Sequence, residues 1–393
     1  MLRAQWTNAG SPAALLFYWA VACSSGGAAP RQLGAPDGGD DGAADAAGDD
    51  AAADAGPDGD GAPARSAQCA AQDQALQAAL NGSRGSSPNA LLAVLDPACG
   101  TSVYVAGSGK TATTSSLWRI GSVTKTFVSA SILSLVEQGK ISLSDPLSKW
   151  VPGVPNTTGV TVMMLLDHRS GIYNYTDDPS FDPTKPWTPQ QIVALAAMHA
   201  PYFAPDADFH YSNTNYVLLG MILEAATGQK AGAALHARAI DPAKLTGTFF
   251  DGFDAIDPAR MARGFHLGTD VTFYDDPSVS WTAGAMVSDG ASLAQWMATL
   301  YGTDAVLDAN GRALLTSKTS DLGNGVSYGL GVILFDASIT GGGGPAMGHD
   351  GAIAGFQSQA FWFPQKQTAV VSIVNDDTGD PNAVSVAALQ KLF

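Results

Sequence analysis

Strand patterns stand at both ends of this 393-residue chain and helix patterns fill its middle, and this order constrains the fold more than any other feature. Leu91 to Leu95 and Ser102 to Ala106 read as paired strands, with Ser116 to Ile120 as a third. Strand signals return at Tyr328 to Phe335, Gln357 to Trp362 and Thr368 to Val374. Between them the apolar spacing is helical: Ser122 to Glu137, Asn213 to Ala226 (closed by Gly228), and Ala291 to Tyr301. Thr188-Pro189-Gln190-Gln191 is a helix start, with Pro at the first position and Gln in the capping box. Helices are also expected over 69–80, ended by Asn81-Gly82, and from Pro381 to Phe393. Such a chain must assemble one sheet from both of its ends and insert a helical domain between them. Groups at the edges of the insertion then meet in the cleft between the two parts.

The first 65 residues are of another kind. Arg3 followed by the apolar run Ala13 to Val21, too short to span a bilayer, reads as an export signal. Ala20-Val21-Ala22 fits an A-x-A cleavage site. The same stretch, ending in Cys23, also resembles a bacterial lipobox, which would make Cys23 a lipid anchor. Residues 24–65 are Gly, Ala, Asp, Pro and Ser with almost no large apolar side chain, so they cannot bury enough surface to offset the entropy of ordering. They read as a flexible acidic tether, which favours the lipidated form, and folded structure is expected from near Gln68. The net charge is −16, and the segment after the tether is acidic too, so nothing in it attracts nucleic acid or anionic lipid. With Cys23 set aside, Cys69 and Cys99 remain: a disulfide in an oxidising compartment, or two free thiols.

Ser122-Val123-Thr124-Lys125 is the central chemical feature. Residues at i and i+3 share one helix face. A serine hydroxyl is a poor nucleophile that needs an adjacent base, and a lysine one turn away serves when its surroundings favour the neutral amine. A serine at a helix start also places its N–H among the unpaired donors there, ready for an oxyanion. By itself this tetrapeptide is far more often an N-cap followed by a surface lysine. Tyr211-Ser212-Asn213 adds a phenol able to relay a proton and an amide able to hold a carbonyl or the lysine. Gly348-His349-Asp350-Gly351, followed by Ala352, adds a small-residue edge strand that a substrate backbone can approach closely.

Order and spacing join these signals. S-x-x-K, then Y-x-N about 90 residues on, then H-x-G about 135 beyond, resembles the layout of the serine hydrolases of the β-lactamase and penicillin-binding-protein clan. Leu165-Leu166-Asp167-His168-Arg169-Ser170-Gly171, Trp281-Thr282-Ala283-Gly284-Ala285-Met286-Val287-Ser288 and Tyr328-Gly329-Leu330-Gly331 look like further segments of these enzymes. The resemblance covers roughly 70–393 and is nearest to soluble D-Ala-D-Ala carboxypeptidases, with class C β-lactamases and related esterases beside them. It implies a β-lactamase-like α/β (α+β) fold: an antiparallel sheet built from both chain ends, flanking helices and an inserted helical domain. On that layout residues 66–118 and 303–393 form the sheet part and 119–302 the helical part.

The resemblance also implies roles. Ser122 is acylated, and Lys125 and Tyr211 pass its proton to the leaving group. The N–H groups of Ser122 and Ala352 hold the oxyanion, Asn213 orients substrate, and His349, Asp350 and Gly351 line the substrate strand. Neither metal nor cofactor is called for. Phe181 and Trp281 are possible cleft walls or ordinary core, while His168 and His210 read as structural. Gly107-Ser108-Gly109-Lys110-Thr111 reads as a hairpin turn, since the first glycine of a phosphate loop would fall on Tyr104.

One departure bears on substrate. The carboxypeptidases hold a free C-terminal carboxylate with an arginine on the Y-G-L-G strand and hydroxyls on the H-T-G-T strand. The corresponding positions here are Ile333, Asp350 and Ala352. Like charges about 4 Å apart cost ~1–4 kcal/mol at effective dielectrics between those of water and of a protein surface. The chemistry is therefore expected to be kept and the substrate changed, from peptidoglycan stem peptide or β-lactam towards esters or D-amino-acid amides and peptides. Intact Ser122, Lys125 and Tyr211 favour an enzyme over a non-catalytic surface protein that binds peptidoglycan or β-lactam.

Overall fold

The computed structural model describes residues 65–107 and 112–393. The expected export signal, Cys23, all of the tether but Arg65, and most of the Gly107–Thr111 turn lie outside the described residues. Helix α1 (Ala67–Ser83) comes first, capped by Ser66, whose hydroxyl accepts from Cys69 N–H. Strands β1 (Asn89–Asp96) and β2 (Gly100–Gly107) follow, then β3 (Trp118–Arg119) and helix α2 (Thr124–Glu137). The middle of the chain holds α3 (Pro189–Ala197), α4 (Asn213–Thr227), β4 (Thr248–Phe250), β5 (Phe265–His266), β6 (Thr269–Asp270) and β7 (Met286–Ser288). Helix α5 (Gly290–Gly302) leads back to β8 (Ser320–Gly323), β9 (Val326–Tyr328), β10 (Ile333–Phe335), β11 (Ala346–Ile353), β12 (Phe356–Phe363), β13 (Thr368–Val374) and α6 (Pro381–Leu392).

Eight strands form one antiparallel sheet in the order β2-β1-β13-β12-β11-β10-β9-β8. The two chain ends meet where β1 pairs with β13, Ala90 to Leu95 against Val374 to Ala369. Both strands are near-continuous apolar runs because both faces are covered. The terminal helices α1 and α6 pack on one face, and α5 lies on the other. Gly290 lets α5 approach closely, since a β-carbon there would stand 3.0 Å from Leu91.

Helix α2 is buried on all sides apart from its final turn, and its small polar residues are satisfied locally, Thr126, Ser131 and Ser134 donating to the carbonyls of Val123, Phe127 and Ser131. Trp296 of α5 stacks on Phe127 with ring centroids 4.0 Å apart and donates to Thr126 Oγ1 at 2.8 Å. The reciprocal Thr188–Gln191 capping box starts α3, and Gly228 at φ 68° ends α4, both as the sequence predicts.

Two expectations are corrected. Ser116 to Ile120 does not join the main sheet: its two paired residues form β3 in a separate sheet, β3-β7-β4. Arg119 explains the diversion, because its buried guanidinium donates to Asp251 at 2.8 Å and to the Thr272 carbonyl. Tyr328 to Phe335 is not one strand but the hairpin β9–β10, with Ile333 opposite Tyr328. Gly331, at φ 80°, turns the chain where a side chain would strike Ser129 and Tyr216.

Cys69 and Cys99 are joined by a disulfide that ties α1 to the β1–β2 turn. The bridge closes a loop with sequence separation 30, which by chain entropy stabilises the fold by about 3–4 kcal/mol. A Cys69→Ser/Cys99→Ser variant is expected to lose about that much in urea unfolding. An unchanged midpoint would contradict the assignment.

Candidate active site

The cleft lies between the start of α2 and the second half of β11. Strand β10 covers β11 only along Ala346 to Gly348, so His349 to Ile353 present an edge with no strand beside it. The 3-10 turn Gly121–Val123, which leads into α2, occupies that edge. Two glycines allow the approach. A β-carbon on Gly121, whose φ is 50°, would fall 2.8 Å from Ala352 N; one on Gly351 would fall 2.1 Å from the Ile120 carbonyl oxygen and 3.0 Å from Ser122 N. Ser358 of β12 ties down the same carbonyl, donating to Ile120 O at 2.9 Å. The N–H groups of Ser122 and Ala352 are thereby brought side by side, the arrangement that stabilises a developing oxyanion.

Ser122 is partly exposed and Lys125 fully buried. Lys125 Nζ lies 2.9 Å from Ser122 Oγ, 2.8 Å from Asn213 Oδ1 and 2.7 Å from the Ala283 carbonyl oxygen. It also stands 4.9 Å from the Tyr211 ring centroid and 5.3 Å from that of Tyr216. The structure thus brings Ser122, Lys125, Tyr211 and Asn213 together, as the sequence predicts. Sequence reasoning missed Ala283 as an individual ligand: a backbone carbonyl has no residue-type signal, although it lies within the Trp281–Ser288 segment singled out above.

Behind Tyr211 stands His168, fully buried at φ 59°. Its Nδ1 accepts from Ser212 N–H at 3.2 Å and from the Asn215 amide at 3.1 Å, and its ring centroid lies 4.2 Å from that of Tyr211. Burial first, and the Lys125 charge second, hold its pKa well below the usual imidazole range. His168 is therefore a neutral wedge that positions Tyr211. His210 is structural as well, stacked on Tyr202 with centroids 3.7 Å apart.

His349 lies on β11, the expected strand. Its ring is fully buried; Tyr328 OH stands 3.0 Å from Nε2, and Nδ1–H donates to the Asp350 carbonyl. Both ring nitrogens are thus engaged within the protein, and the ring centroid lies 6.2 Å from that of Tyr211. Asp350 is nine-tenths buried; its Oδ1 makes no hydrogen bond and lies 3.4 Å from His349 Nδ1. Ile333 is buried in the apolar layer beneath the terminal helices and supplies no charge to the cleft. Phe181 packs on Tyr175 and Trp187, and Trp281 lies over Gly220 of α4, so both belong to the partly buried margin of the core.

A family model described as Beta-lactamase matches residues 74–393. The chain belongs to this family. Penicillin-binding protein 4* of Bacillus subtilis (strain 168) is 26% identical over 304 residues, covering 71% of this chain and 66% of the relative. The chain thus spans about two thirds of that relative's length. The D-stereospecific amidohydrolase from Streptomyces sp. is similar at 33% identity and a TM-score of 0.70, over 80% of this chain and 96% of that one. The D-amino acid amidase from Ochrobactrum anthropi SV3, in its complex with D-phenylalanine, is similar at 27% identity and a TM-score of 0.73, over 82% and 98% of the two chains. The protein is accordingly a serine hydrolase of the β-lactamase and penicillin-binding-protein clan, with the fold the resemblance implied.

Removing the Lys125 amine takes away the group nearest the Ser122 hydroxyl. Lys125→Ala is expected to slow acylation by about 10²–10⁴-fold, and Ser122→Ala to abolish it, read from the p-nitrophenol burst with p-nitrophenyl acetate. Gly351→Ala pushes β11 off the Ser122 turn and is expected to cost about 10²-fold in the same assay.

Proposed function

We propose that the protein hydrolyses D-amino-acid amides and esters through a Ser122 acyl-enzyme, and that its leaving groups carry no carboxylate. Lys125, as the neutral amine, takes the proton of Ser122 Oγ as that oxygen attacks the carbonyl carbon, and passes it on to Tyr211. Tyr211 delivers a proton to the departing amine or alcohol, and a water molecule then resolves the ester. The N–H groups of Ser122 and Ala352 take the oxyanion, and Asn213 holds both Lys125 and the substrate.

The observation that carries this reading is Asp350. It stands on the stretch of β11 that no strand covers, with a buried carboxylate oxygen that makes no hydrogen bond, and the apolar Ile333 stands where the carboxypeptidases carry their arginine. A second carboxylate brought here meets repulsion, while a neutral or cationic leaving group does not. The likeness to the Streptomyces amidohydrolase and the Ochrobactrum amidase supports the same substrate class. The Cys69–Cys99 disulfide supports the further proposal that the protein works outside the reducing cytoplasm, exported by its N-terminal segment.

The test compares kcat/KM for D-phenylalanine amide and simple esters with that for an acyl-D-Ala-D-Ala peptide. The amide and esters are expected to be better substrates, and Asp350→Thr is expected to raise peptide cleavage about tenfold. Equal specificity for peptide and esters, unmoved in the variant, would sink the reading. The likeness to a penicillin-binding protein favours a second outcome in parallel: benzylpenicillin leaves a mass adduct that Ser122→Ala lacks.

A further inference from the structure

We infer that Asn174 is a positioning residue for acylation: from a loop outside the Ser122–Lys125 and Tyr211–Asn213 motifs, it caps α4 and so fixes the Asn213 amide against Lys125. The first N–H groups of a helix have no partner within it, and a serine ahead of them ordinarily supplies one. Ser212 has the cap position and an extended backbone, yet its side chain makes no capping bond. Its own N–H donates to His168 Nδ1. The Asn213 N–H donates at 2.9 Å to Oδ1 of Asn174, 39 residues earlier in the chain.

The capping amide has one orientation. Asn174 Nδ2 donates to Thr176 Oγ1 at 2.6 Å and to Asp177 Oδ1 at 3.0 Å. A carboxylate only accepts, so Nδ2 must face Asp177 and Oδ1 must face the Asn213 N–H. Asp177 is held in turn. Its Oδ2 takes the Tyr202 hydroxyl at 2.7 Å, and that hydroxyl accepts from the Asn174 N–H at 3.2 Å. Thr214 Oγ1 straps the loop on both sides of Asn174, donating to the Tyr173 carbonyl at 2.7 Å and accepting from the Tyr175 N–H at 3.0 Å. Asn174 is itself buried, and a buried polar group that loses its partner is destabilised.

The same network reaches the phenol. Tyr202 N–H donates to the Gly171 carbonyl at 2.8 Å, and the Tyr202 ring stacks on His210 with centroids 3.7 Å apart. His210 N–H donates to the His168 carbonyl at 3.0 Å, and His210 Nδ1 lies 3.1 Å from the Tyr211 carbonyl oxygen. Asn174, Asp177 and Tyr202 thus support both Asn213 and Tyr211, the two residues set against Lys125. Through Asn213 Oδ1 the contacts end on Lys125 Nζ at 2.8 Å, and that amine lies 2.9 Å from Ser122 Oγ. Without its cap, Asn213 no longer holds the amine in one place, and such a misplacement lowers the rate of the chemical step.

The inference rests on the acylation chemistry proposed above and is indifferent to the leaving group, so the test uses p-nitrophenyl acetate. Asn174→Ala is expected to slow the p-nitrophenol burst about 10–10²-fold, with the half-saturating ester concentration changed less than about twofold. The double variant Asn174→Asp/Asp177→Asn exchanges donor and acceptor across their contact, while the Asn213 N–H and the Tyr202 hydroxyl keep an acceptor each. It is expected to bring the burst back to within about threefold of wild type, which loss of packing alone would not predict. Circular dichroism and thermal unfolding establish which variants are folded. If Asn174→Ala does not fold, Asn174→Asp takes its place: it sets a second carboxylate against Asp177 and is expected to be slowed likewise. An unchanged burst in the folded single variant, or a slowed one that the exchange fails to restore, overturns the inference and leaves the proposed function standing. A wild-type protein with no burst that Ser122→Ala removes overturns the proposed function instead.

Discussion

The Lys125 amine is the group on which the rest of the site depends. It is buried, and its Nζ meets oxygens from three separate parts of the chain: Ser122 beside it, Asn213 at the start of α4, and the Ala283 carbonyl before β7. A buried amine, neutral or charged, is tolerated only where such partners are in place, so packing α4 and the Trp281–Gly284 turn against α2 is a condition of burying it at all. The tyrosine ring that faces the amine is set by the same packing. Folding the helical part and assembling the proton-handling group are one event.

The sheet contributes something different, a backbone surface rather than side chains. Strand β11 ends its pairing with β10 at Gly348 and continues as an open edge, and the absence of a β-carbon on Gly121 and Gly351 lets the nucleophile turn sit directly against it. Side chains on this strand then divide the work. His349 turns inward and is locked by Tyr328, while Asp350 remains at the edge with an oxygen to spare. On the proposed reading, the Asp350 charge beside the scissile bond is what selects the leaving group.

Much of this was legible in the chain's order of residues. The helical spacing from Ser122 to Glu137, the capping box at Thr188 and the apolar runs of β1 and β13 are local patterns whose physics does not depend on distant partners. Tyr328 to Phe335 misled because its apolar residues continue through Gly329 and Gly331, and what bends the chain there is the close presence of Ser129 and Tyr216. Ser116 to Ile120 misled because the partner that diverts it, Asp251, lies far along the chain. The disulfide was an open choice for the same reason.

The sequence by itself determined the chemistry. Ser122, Lys125, Tyr211 and Asn213 are fixed in kind and order, and two of them lie one helical turn apart, so their meeting needed only the expected elements to pack. It also determined that a carboxylate replaces a hydroxyl at position 350. Only the tertiary structure decided what those charges can reach. Burial, the end of β10 and the placement of Ala283 arise from segments distant in sequence. An isolated residue type carries no information about which distant group will desolvate it, and desolvation is what turns an ordinary aspartate into a selective one.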